Sequence, residues 1–290
     1  MQIGVVLPQT EIGAEPSGVR DYAQGVEALG FRHVLAYEHV LGADPTIHAP
    51  WNRPYSVHSL FHEPMVLFGY LAALTTLELV SGVVILPQRQ TALVAKQAAE
   101  VDVLSGGRLR LGIGLGWSAV EYEALGQDFH TRGRRLDEQM ALLRRLWTEP
   151  VVTFEGRFDR ITGAGLNPLP VQRPIPLWIG GSSVPAYRRI GRLANGWFPP
   201  MGRPGSALRD ALGHITTAAE EAGRDPATIG MDARVSWGDE GLEGVVDKVE
   251  AWREAGATHV SVNTMDAGLG GPDGHLAALT MVAGALGLGA

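Results

Sequence analysis

A histidine near the end of an apolar segment is the first residue of the chain that could do chemistry. The segment "HVLAYEHV" spans residues 33–40 and reads as a buried strand, with His39 close to its carboxyl end. An imidazole in that position can accept or donate a proton near neutral pH, as general acid–base catalysis requires. A single histidine is more often a structural residue, and the pattern alone leaves that alternative open.

A glycine-rich stretch, "GRLRLGIGLGWS" (107–118), could form the wall of a ligand site. Its glycines Gly112, Gly114 and Gly116 have the spacing G-x-G-x-G, whereas a dinucleotide-binding loop has G-x-G-x-x-G and follows the first strand. More than a hundred residues precede this stretch, which disfavours the dinucleotide interpretation. Glycines let a flat ligand approach the backbone closely, and Trp117 directly after them is a candidate pocket wall.

A second glycine pair lies in "WIGGSS" (178–183), where a predicted strand gives way to a predicted helix. Gly180 and Gly181 permit close backbone approach, and Ser182 and Ser183 add hydroxyl groups. The free N–H groups of a helix N-terminus favour an anion, so this turn is a candidate phosphate site. An ordinary turn with a serine cap is the alternative.

The composition disfavours several other classes of function. The chain has 290 residues, a net charge of −7 and no cysteine, so it lacks both thiolate ligands and the excess of basic residues that nucleic-acid binding needs. His48, His58 and His62, followed by Glu63, do not form an H-E-x-x-H motif, and we interpret them as loop histidines rather than metal ligands. Without a membrane-length apolar run or a signal peptide, we expect a cytoplasmic protein with no membrane partner.

Alternating strands and helices must position these residues. Strands are predicted at 3–9, 33–40, 77–87, 108–116, 175–181, 196–199, 229–237 and 258–264, each followed by a helix. Apolar strands of this kind must be covered on both faces. Eight strand–helix units favour an α/β fold of the (β/α)8 TIM barrel type, with a doubly wound sheet as the alternative. In a barrel, the carboxyl ends of the strands meet at one rim, where such proteins build their sites.

The segment between predicted strands 4 and 5 is longer than one strand–helix connection needs. This insertion covers about residues 117–174 and contains a predicted helix at 134–147 and a predicted hairpin at 151–161. No internal repeat, low-complexity tract or linker divides the chain. We therefore predict one domain over residues 1–290.

Three stretches of the chain carry a resemblance to a known family. They are "VSGVVILPQRQTALVAKQAAEVDVLSGGRLRLGIGLGWSAVEYEALG" (80–126), "RGRRLDEQMALLRRLWTEP" (132–150) and "PLPVQRPIPLWIGGSS" (168–183). In this order they resemble the luciferase-like monooxygenase superfamily, and within it the branch of coenzyme F420-dependent (deazaflavin) oxidoreductases. The resemblance runs from Met1 to about Phe198 and continues more weakly to the end.

The resemblance implies roles for particular residues. Members often carry an Asp-His or similar pair beside the cofactor ring at the end of strand 2, and Glu38-His39 takes that place, with a glutamate that is one methylene longer. It implies that His39 exchanges the proton, with Glu38 as its neighbour or as a ring contact. Strand 3 of the family has a bulge, commonly with a non-prolyl cis peptide, which falls here at about Val83-Val84. The cofactor phosphate would bind around the turn Gly180–Ser183.

Three functions remain open at this point. The first is hydride transfer between a deazaflavin, coenzyme F420, and a small organic substrate. The second is an FMN-dependent monooxygenase on the same barrel, which would use dioxygen and a separately reduced flavin. The third is a non-catalytic flavin-binding barrel.

The resemblance also implies a homodimer, since members of the superfamily commonly pair. The predicted helix in "MVLFGYLAALTTL" (65–77) supports this expectation because it carries no charged residue. An outer helix of a barrel should present a polar stripe to water, and large exposed apolar patches are rare on monomers. We expect a second subunit to cover this helix while the rim stays open, and cover by the insertion is the alternative.

Overall fold

The computed structural model describes residues 1–238 and 240–289, and eleven strands form two sheets within them. The strands are β1 (Gln2–Val6), β2 (His33–Ala36), β3 (Glu78–Ser81), β4 (Val84–Ile85), β5 (Leu109–Gly114), β6 (Val152–Glu155), β7 (Arg160–Ala164), β8 (Leu177–Gly180), β9 (Gly196–Phe198), β10 (Gly230–Ser236) and β11 (His259–Asn263). Each of the eight predicted strand positions contains a strand, and the third is divided into β3 and β4.

Nine α-helices in the same residues surround the larger sheet. They are α1 (Pro16–Ala28), α2 (Pro64–Ala72), α3 (Thr91–Ser105), α4 (Ala119–Ala124), α5 (Arg132–Thr148), α6 (Val184–Leu193), α7 (Ser206–Glu221), α8 (Gly241–Glu254) and α9 (Pro272–Leu286). Prolines stand in the first turn of α1, α2, α6 and α9, where the missing N–H group costs no hydrogen bond. Within the described residues, no helix is long and apolar enough to cross a membrane.

Eight parallel strands close into a ring in the order β1, β2, β3, β5, β8, β9, β10 and β11, and β11 pairs again with β1. This arrangement confirms the predicted (β/α)8 TIM barrel. The two-residue strand β4 is additional to the ring, and it pairs with β5 just beyond the point where β3 leaves it. The interruption between β3 and β4 therefore lies at the carboxyl rim of the barrel.

Apolar side chains on both faces of the strands explain why the sheet closes. All four residues of β2 and all six of β5 are buried, as expected for strands that lie between a barrel interior and a layer of helices. Inside the ring, Val6, Leu35 and Val80 pack with Trp178 and Phe198. The interior is thus a packed core, on which a site at the rim can rest.

The segment between β5 and β8 contains the predicted helix and hairpin, and one further short helix that was not predicted. It holds α4, α5 and the antiparallel hairpin of β6 and β7. Helix α5 is fixed to the barrel layer by a hydrogen bond of 3.0 Å from the Trp147 indole to the carbonyl of Ala95 on α3. This segment therefore packs directly on the barrel helices. The assignment of the whole chain to a single domain stays a prediction.

Helix α2 leaves part of its apolar surface open. Val66 is 73% exposed and Tyr70 is 40% exposed, whereas Phe68 and Leu71 on the opposite side are fully buried. The expectation that a second copy of the chain covers this helix stays a prediction.

A polar network fills the amino-terminal end of the barrel, away from the rim. Arg110 donates to Asp232 over 2.7 Å and to Glu78 over 2.9 Å, and its guanidinium lies 4.5 Å from the ring centre of Trp178. Asp232 also accepts a hydrogen bond from Ser261, whose hydroxyl contacts the buried imidazole of His33. Every charge in this floor has a partner, as burial requires.

Two histidines at this end of the barrel, His33 and His259, make the stability of the barrel sensitive to acid. Burial, reinforced by the positive charge of Arg110, lowers the pKa of His259 to about 3, and the same causes lower the pKa of His33 well below its usual range. Both imidazoles are therefore neutral in the folded protein. In the unfolded chain they take up protons as the pH falls below about 6.5.

We expect the free energy of unfolding to decrease between about pH 6.5 and pH 3, because the unfolded chain binds more protons than the folded one in that window. Urea unfolding of the His259→Gln variant should show a shallower decrease, corresponding to about one proton fewer. The matched variant His48→Gln, at an exposed loop position, should keep the wild-type slope. Equal slopes in all three proteins would show that His259 is not a neutral buried group.

Candidate active site

The carboxyl ends of the strands surround a cavity of about 740 Å³. Two halves of its wall differ in chemistry. One half comes from the β3–β4 interruption and the ends of β5 and β8, and it is rich in glycine. The other half comes from β2, β10 and β11 and carries polar side chains. A cavity of this size, with mostly apolar walls and a few polar groups, is typical of a small-molecule or cofactor site.

The glycines of the first half make room for the side chains of the interrupted strand. A Cβ atom on Gly114 would lie 2.6 Å from Val83, and one on Gly180 would lie 3.2 Å from the same side chain. Gly116, with a φ of +64°, likewise leaves space for Ile85. Val83 can therefore project into the cavity between two strand ends. The space beside these glycines is taken by the side chains of Val83 and Ile85. The sequence had suggested that a ligand approaches the glycine backbone directly.

The bulge in strand 3 differs slightly from the expectation. The non-prolyl cis peptide joins Gly82 to Val83, one bond earlier than the predicted Val83-Val84. Val83 lines the cavity, whereas Val84 is fully buried in the hydrophobic core and does not line it. Val84 was predicted from the sequence as a cofactor-binding residue, and the structure places its side chain on the core side of the wall.

The turn Gly180–Ser183 lies between β8 and α6 and lines the cavity over its whole length. Ser182 and Ser183 are exposed, and Ser183 occupies the N-cap position without a capping hydrogen bond from its side chain. The first N–H groups of α6 have no partner within the helix, so this end of the cavity presents donors to an anion. The indole of Trp197 holds the turn by donating to the carbonyl of Gly181 over 2.9 Å.

His39 lies at the opposite side of the cavity and forms a pair with Glu121. Its Nδ1 atom is 3.1 Å from Oε2 of Glu121, and the side chains are 13% and 2% exposed. Oε1 of the same carboxylate accepts the backbone N–H groups of Val40, over 2.8 Å, and Leu41, over 3.3 Å. The carboxylate thus fixes both the imidazole and the backbone that follows it.

The ionisation of Glu121 supports this pairing. Burial acts to raise the pKa of this carboxyl group, but the hydrogen bonds from His39 and the two backbone N–H groups outweigh it, so that the pKa is lowered. An ionised Glu121 accepts a hydrogen bond from Nδ1–H of His39, and Nε2 is then available to exchange a proton with a ligand. The two side chains therefore form a carboxylate–imidazole pair, an arrangement suited to moving one proton.

Glu121 was missed by sequence reasoning. In the sequence, Ser118 and Glu121 have the S-x-x-E spacing of a helix capping box, which indicates a local role at the start of α4. Ser118 does cap the helix, since its hydroxyl accepts the N–H of Glu121 over 3.3 Å. The carboxylate of Glu121 instead reaches across to His39, and only the fold brings these distant segments together.

Aromatic rings surround the imidazole of His39 edge to face. The ring centres of Phe61, Trp117 and Tyr55 lie 4.9, 5.3 and 5.5 Å from it. Trp117 comes from the end of β5, as the sequence suggested, whereas Tyr55 and Phe61 come from the long connection between β2 and α2. These rings restrict the orientation of the imidazole and keep its surroundings apolar.

Glu38 contacts the cavity, but its carboxylate is engaged elsewhere. Oε2 accepts the N–H of Ile85 in β4 over 2.8 Å, and Oε1 accepts from Nε of Arg89 over 2.9 Å. Burial raises the pKa of Glu38, and the Arg89 guanidinium and the Ile85 N–H oppose that increase. Arg89 also donates to Glu63 over 2.9 Å. Both oxygens of Glu38 thus hold β4 and Arg89 in place, and the expected part of Glu38 in proton transfer stays a prediction.

The second half of the cavity carries polar groups that sequence reasoning did not single out. Tyr37 at the end of β2, Arg234 on β10 and Asn263 on β11 all line it. Apart from Val84, the residues that were selected from the sequence also line the cavity. They are His39, Glu38, Val83, Gly114, Gly116, Trp117, Gly180, Gly181, Ser182 and Ser183. In the described residues, no group of three or more potential ligands is placed to hold a metal ion.

Comparisons with known proteins agree with this fold. Residues 1–260 match the model of the family described as luciferase-like monooxygenase. The chain belongs to the luciferase-like monooxygenase family, whose members are oxidoreductases and monooxygenases. The resemblance seen in the sequence is thereby confirmed.

Of three relatives of this chain, one is uncharacterised and the other two are named for different cofactors. An uncharacterised protein of Mycobacterium tuberculosis is 36% identical over 225 residues, which cover 77% of this chain and 74% of that protein. An F420-dependent hydroxymycolic acid dehydrogenase of the same organism is 28% identical, covering 80% and 61%. An FMNH2-dependent dimethylsulfone monooxygenase of Pseudomonas putida is 27% identical, covering 74% and 57%.

The fold itself is shared with solved structures. The monooxygenase RslO1 from Streptomyces bottropensis superimposes with a TM-score of 0.77 at 22% identity, covering 97% of this chain and 96% of that one. Identity this low supports the barrel and not a particular reaction.

The two carboxylates on Arg89 provide a test of the assignment of Glu38. Glu38→Gln should lower the free energy of unfolding by about 3–5 kcal/mol, because it removes a charge from a buried pair and leaves Arg89 partly uncompensated. Glu63→Gln should cost only about 1 kcal/mol, because its ion pair with Arg89 is 37% exposed on the Glu63 side and screened by water, so that its cap on the N-terminus of α2 accounts for most of the loss. Chemical denaturation of the two variants measures both values. Equal losses would contradict the positioning role of Glu38.

Proposed function

We propose that this protein is a coenzyme F420-dependent oxidoreductase that moves a hydride between the deazaflavin and a small organic substrate. The observation that carries the proposal is the pair of His39 and Glu121 at the cavity wall. Interconversion of an alcohol and a carbonyl compound requires one proton to move together with one hydride. The His39–Glu121 pair is equipped to move that proton.

The residues of the glycine-rich half fit such a cofactor. The exposed turn Gly180–Ser183 and the N-terminus of α6 offer N–H and hydroxyl donors to a phosphate. Val83, between Gly114 and Gly180, offers an apolar surface for a flat ring. Trp117 closes the wall on the side of His39. When bound, a deazaflavin supplies or accepts two electrons as a hydride.

The remaining chemistry belongs to the side chains of this chain. Glu121 accepts a hydrogen bond from the Nδ1–H of His39 and thereby keeps the Nε2 lone pair free to accept a proton from a substrate hydroxyl. In the reverse direction, protonated Nε2 donates to a carbonyl oxygen, and Glu121 stabilises the imidazolium. The rings of Tyr55, Phe61 and Trp117 limit the access of water to the imidazole.

The relative named for F420 supports the choice of cofactor, and the relative named for FMNH2 defines the competing outcome. Both are of similar identity to this chain. Direct binding separates the two because the cofactors can be offered to the same protein.

We expect the purified protein to bind F420 more tightly than FMN in fluorescence titrations. Ser182→Asp should weaken F420 binding by about tenfold or more, because it places a negative charge where the phosphate would bind. Ser206→Asp is the matched control, since it adds the same charge to the N-terminus of α7 outside the cavity. Tighter binding of FMN, or equal effects of the two variants, would contradict the proposal.

We expect His39→Asn to lower kcat for a substrate found by screening alcohols against F420 absorbance by about 10²–10⁴-fold. Glu121→Gln should lower kcat as well, while the affinity for F420 and the melting temperature stay close to wild type. Since both residues act on one proton, the double variant should be no slower than His39→Asn alone. Losses that multiply in the double variant would show that the two residues act separately.

A further inference from the structure

The polar half of the cavity contains a cation that the proposed proton transfer does not use. Two arginines line the cavity, and they differ in their partners. Arg189 binds Asp137 through two contacts of 2.6 and 3.2 Å and also donates to the carbonyl of Gly133. Its charge is therefore compensated within the protein.

Arg234 has no such partner. Among the described residues, no carboxylate oxygen lies within 4.0 Å of its nitrogens. It makes one side-chain hydrogen bond, from Nη2 to the carbonyl of Pro199 over 2.9 Å, and its Nε atom is buried without a partner. A half-buried guanidinium with a single hydrogen bond to a carbonyl lowers the stability of the fold unless a further acceptor binds its remaining N–H groups.

Tyr37 provides a second donor beside this guanidinium. Its buried hydroxyl lies beside the Arg234 guanidinium, which is itself a donor, and it makes no hydrogen bond of good geometry. Burial raises the pKa of the phenol, and the nearby Arg234 offsets only part of that increase, so the phenol keeps its proton at neutral pH. Its backbone is fixed, because the buried side chain of Gln9 donates to the Tyr37 carbonyl over 2.8 Å.

The nearby carboxylates that the structure describes do not neutralise the charge of Arg234. Asp232, two residues earlier on β10, is already bound by Arg110 and Ser261 in the floor of the barrel. Asp266 lies at the cavity edge, but it is exposed, so water and salt screen its charge. An incoming anion would therefore meet one uncompensated positive charge and one neutral hydroxyl donor.

We propose that Arg234 and Tyr37 form a subsite for a carboxylate group of the substrate. This inference rests on the proposed function in one respect, namely that the glycine-rich half of the cavity holds the cofactor and leaves this half to the substrate. One planar guanidinium with one phenol matches a carboxylate, whose two oxygens accept two donors. A phosphate dianion is disfavoured, because a single cation would leave one of its two negative charges without a partner.

The substrate class that follows is an organic acid with an apolar body. An apolar surface beside this subsite is provided by Met265, which lines the same cavity after β11. The carboxylate would anchor one end at Arg234, so that the reacting carbon lies between this anchor and His39. Arg234 is then a specificity-determining residue and takes no part in proton transfer.

Benzoate and its neutral analogue benzamide test the subsite in the cofactor-free full-length protein. Isothermal titration should show that the wild type binds benzoate more tightly than benzamide. Arg234→Gln should weaken benzoate about tenfold or more, as expected for the loss of a hydrogen bond to a charged group, and leave benzamide nearly unchanged. Tyr37→Phe should weaken benzoate by a smaller factor.

Arg209→Gln, which removes an exposed charge on α7, is the matched control and should bind benzoate like the wild type. Circular dichroism and melting temperatures establish that each variant is folded, and Tyr37→Phe keeps the test decisive if Arg234→Gln does not fold. The subsite is overturned if the wild type shows no saturable benzoate binding, if benzamide binds equally well, or if neither Arg234→Gln nor Tyr37→Phe weakens benzoate.

A loss of benzoate binding in Ser182→Asp, with normal binding in Arg234→Gln, would instead place the anion at α6 and also overturn the subsite. These outcomes are independent of the cofactor. If F420 fails to bind but benzoate depends on Arg234, the proposed function fails and the subsite remains. If F420 binds and benzoate is indifferent to Arg234, the subsite alone fails.

Discussion

The buried carboxylate of Glu38 is the constraint on which the rest of the rim depends. It joins the end of β2 to the N–H of Ile85 in β4 and to the guanidinium of Arg89, so two neighbouring strand ends have one relative position. Tyr37 and His39 are the chain neighbours of Glu38, and both line the cavity. Holding Glu38 therefore also holds the backbone that carries these two side chains.

The division of the cavity into two halves follows from the amino acids at the strand ends. On β5 and β8, glycines leave room for Val83, and the turn before α6 exposes backbone donors rather than side chains. Such a wall suits a flat ligand with an anionic tail, because it offers close approach and unpaired N–H groups. On β2, β10 and β11, the side chains Tyr37, Arg234 and Asn263 offer discrete donors, which suit recognition of particular functional groups. A cofactor and a substrate need these two kinds of surface.

The barrel could be predicted from the sequence because its signals are local and repeated. Each apolar strand is followed by an amphipathic or apolar helix, and the glycine turns after β5 and β8 mark the rim. His39, Trp117 and the turn Gly180–Ser183 were found for the same reason. Glu121 and Arg234 were not, since their partners are distant in sequence and Glu121 also fits a local capping box. The one-residue shift at Val83 depends on how β3 leaves β5, which local patterns do not encode.

Two features of the surroundings of His39 fix its imidazole. Three aromatic rings lie edge to face around it and limit its contact with water. Glu121, whose lowered pKa keeps it ionised, places an oxygen 3.1 Å from Nδ1. The same carboxylate is held by the N–H groups of Val40 and Leu41, so its own orientation does not depend on His39 alone. The aromatic wall and the carboxylate thus hold one imidazole in a single orientation, and Nε2 is the ring nitrogen that Glu121 leaves free.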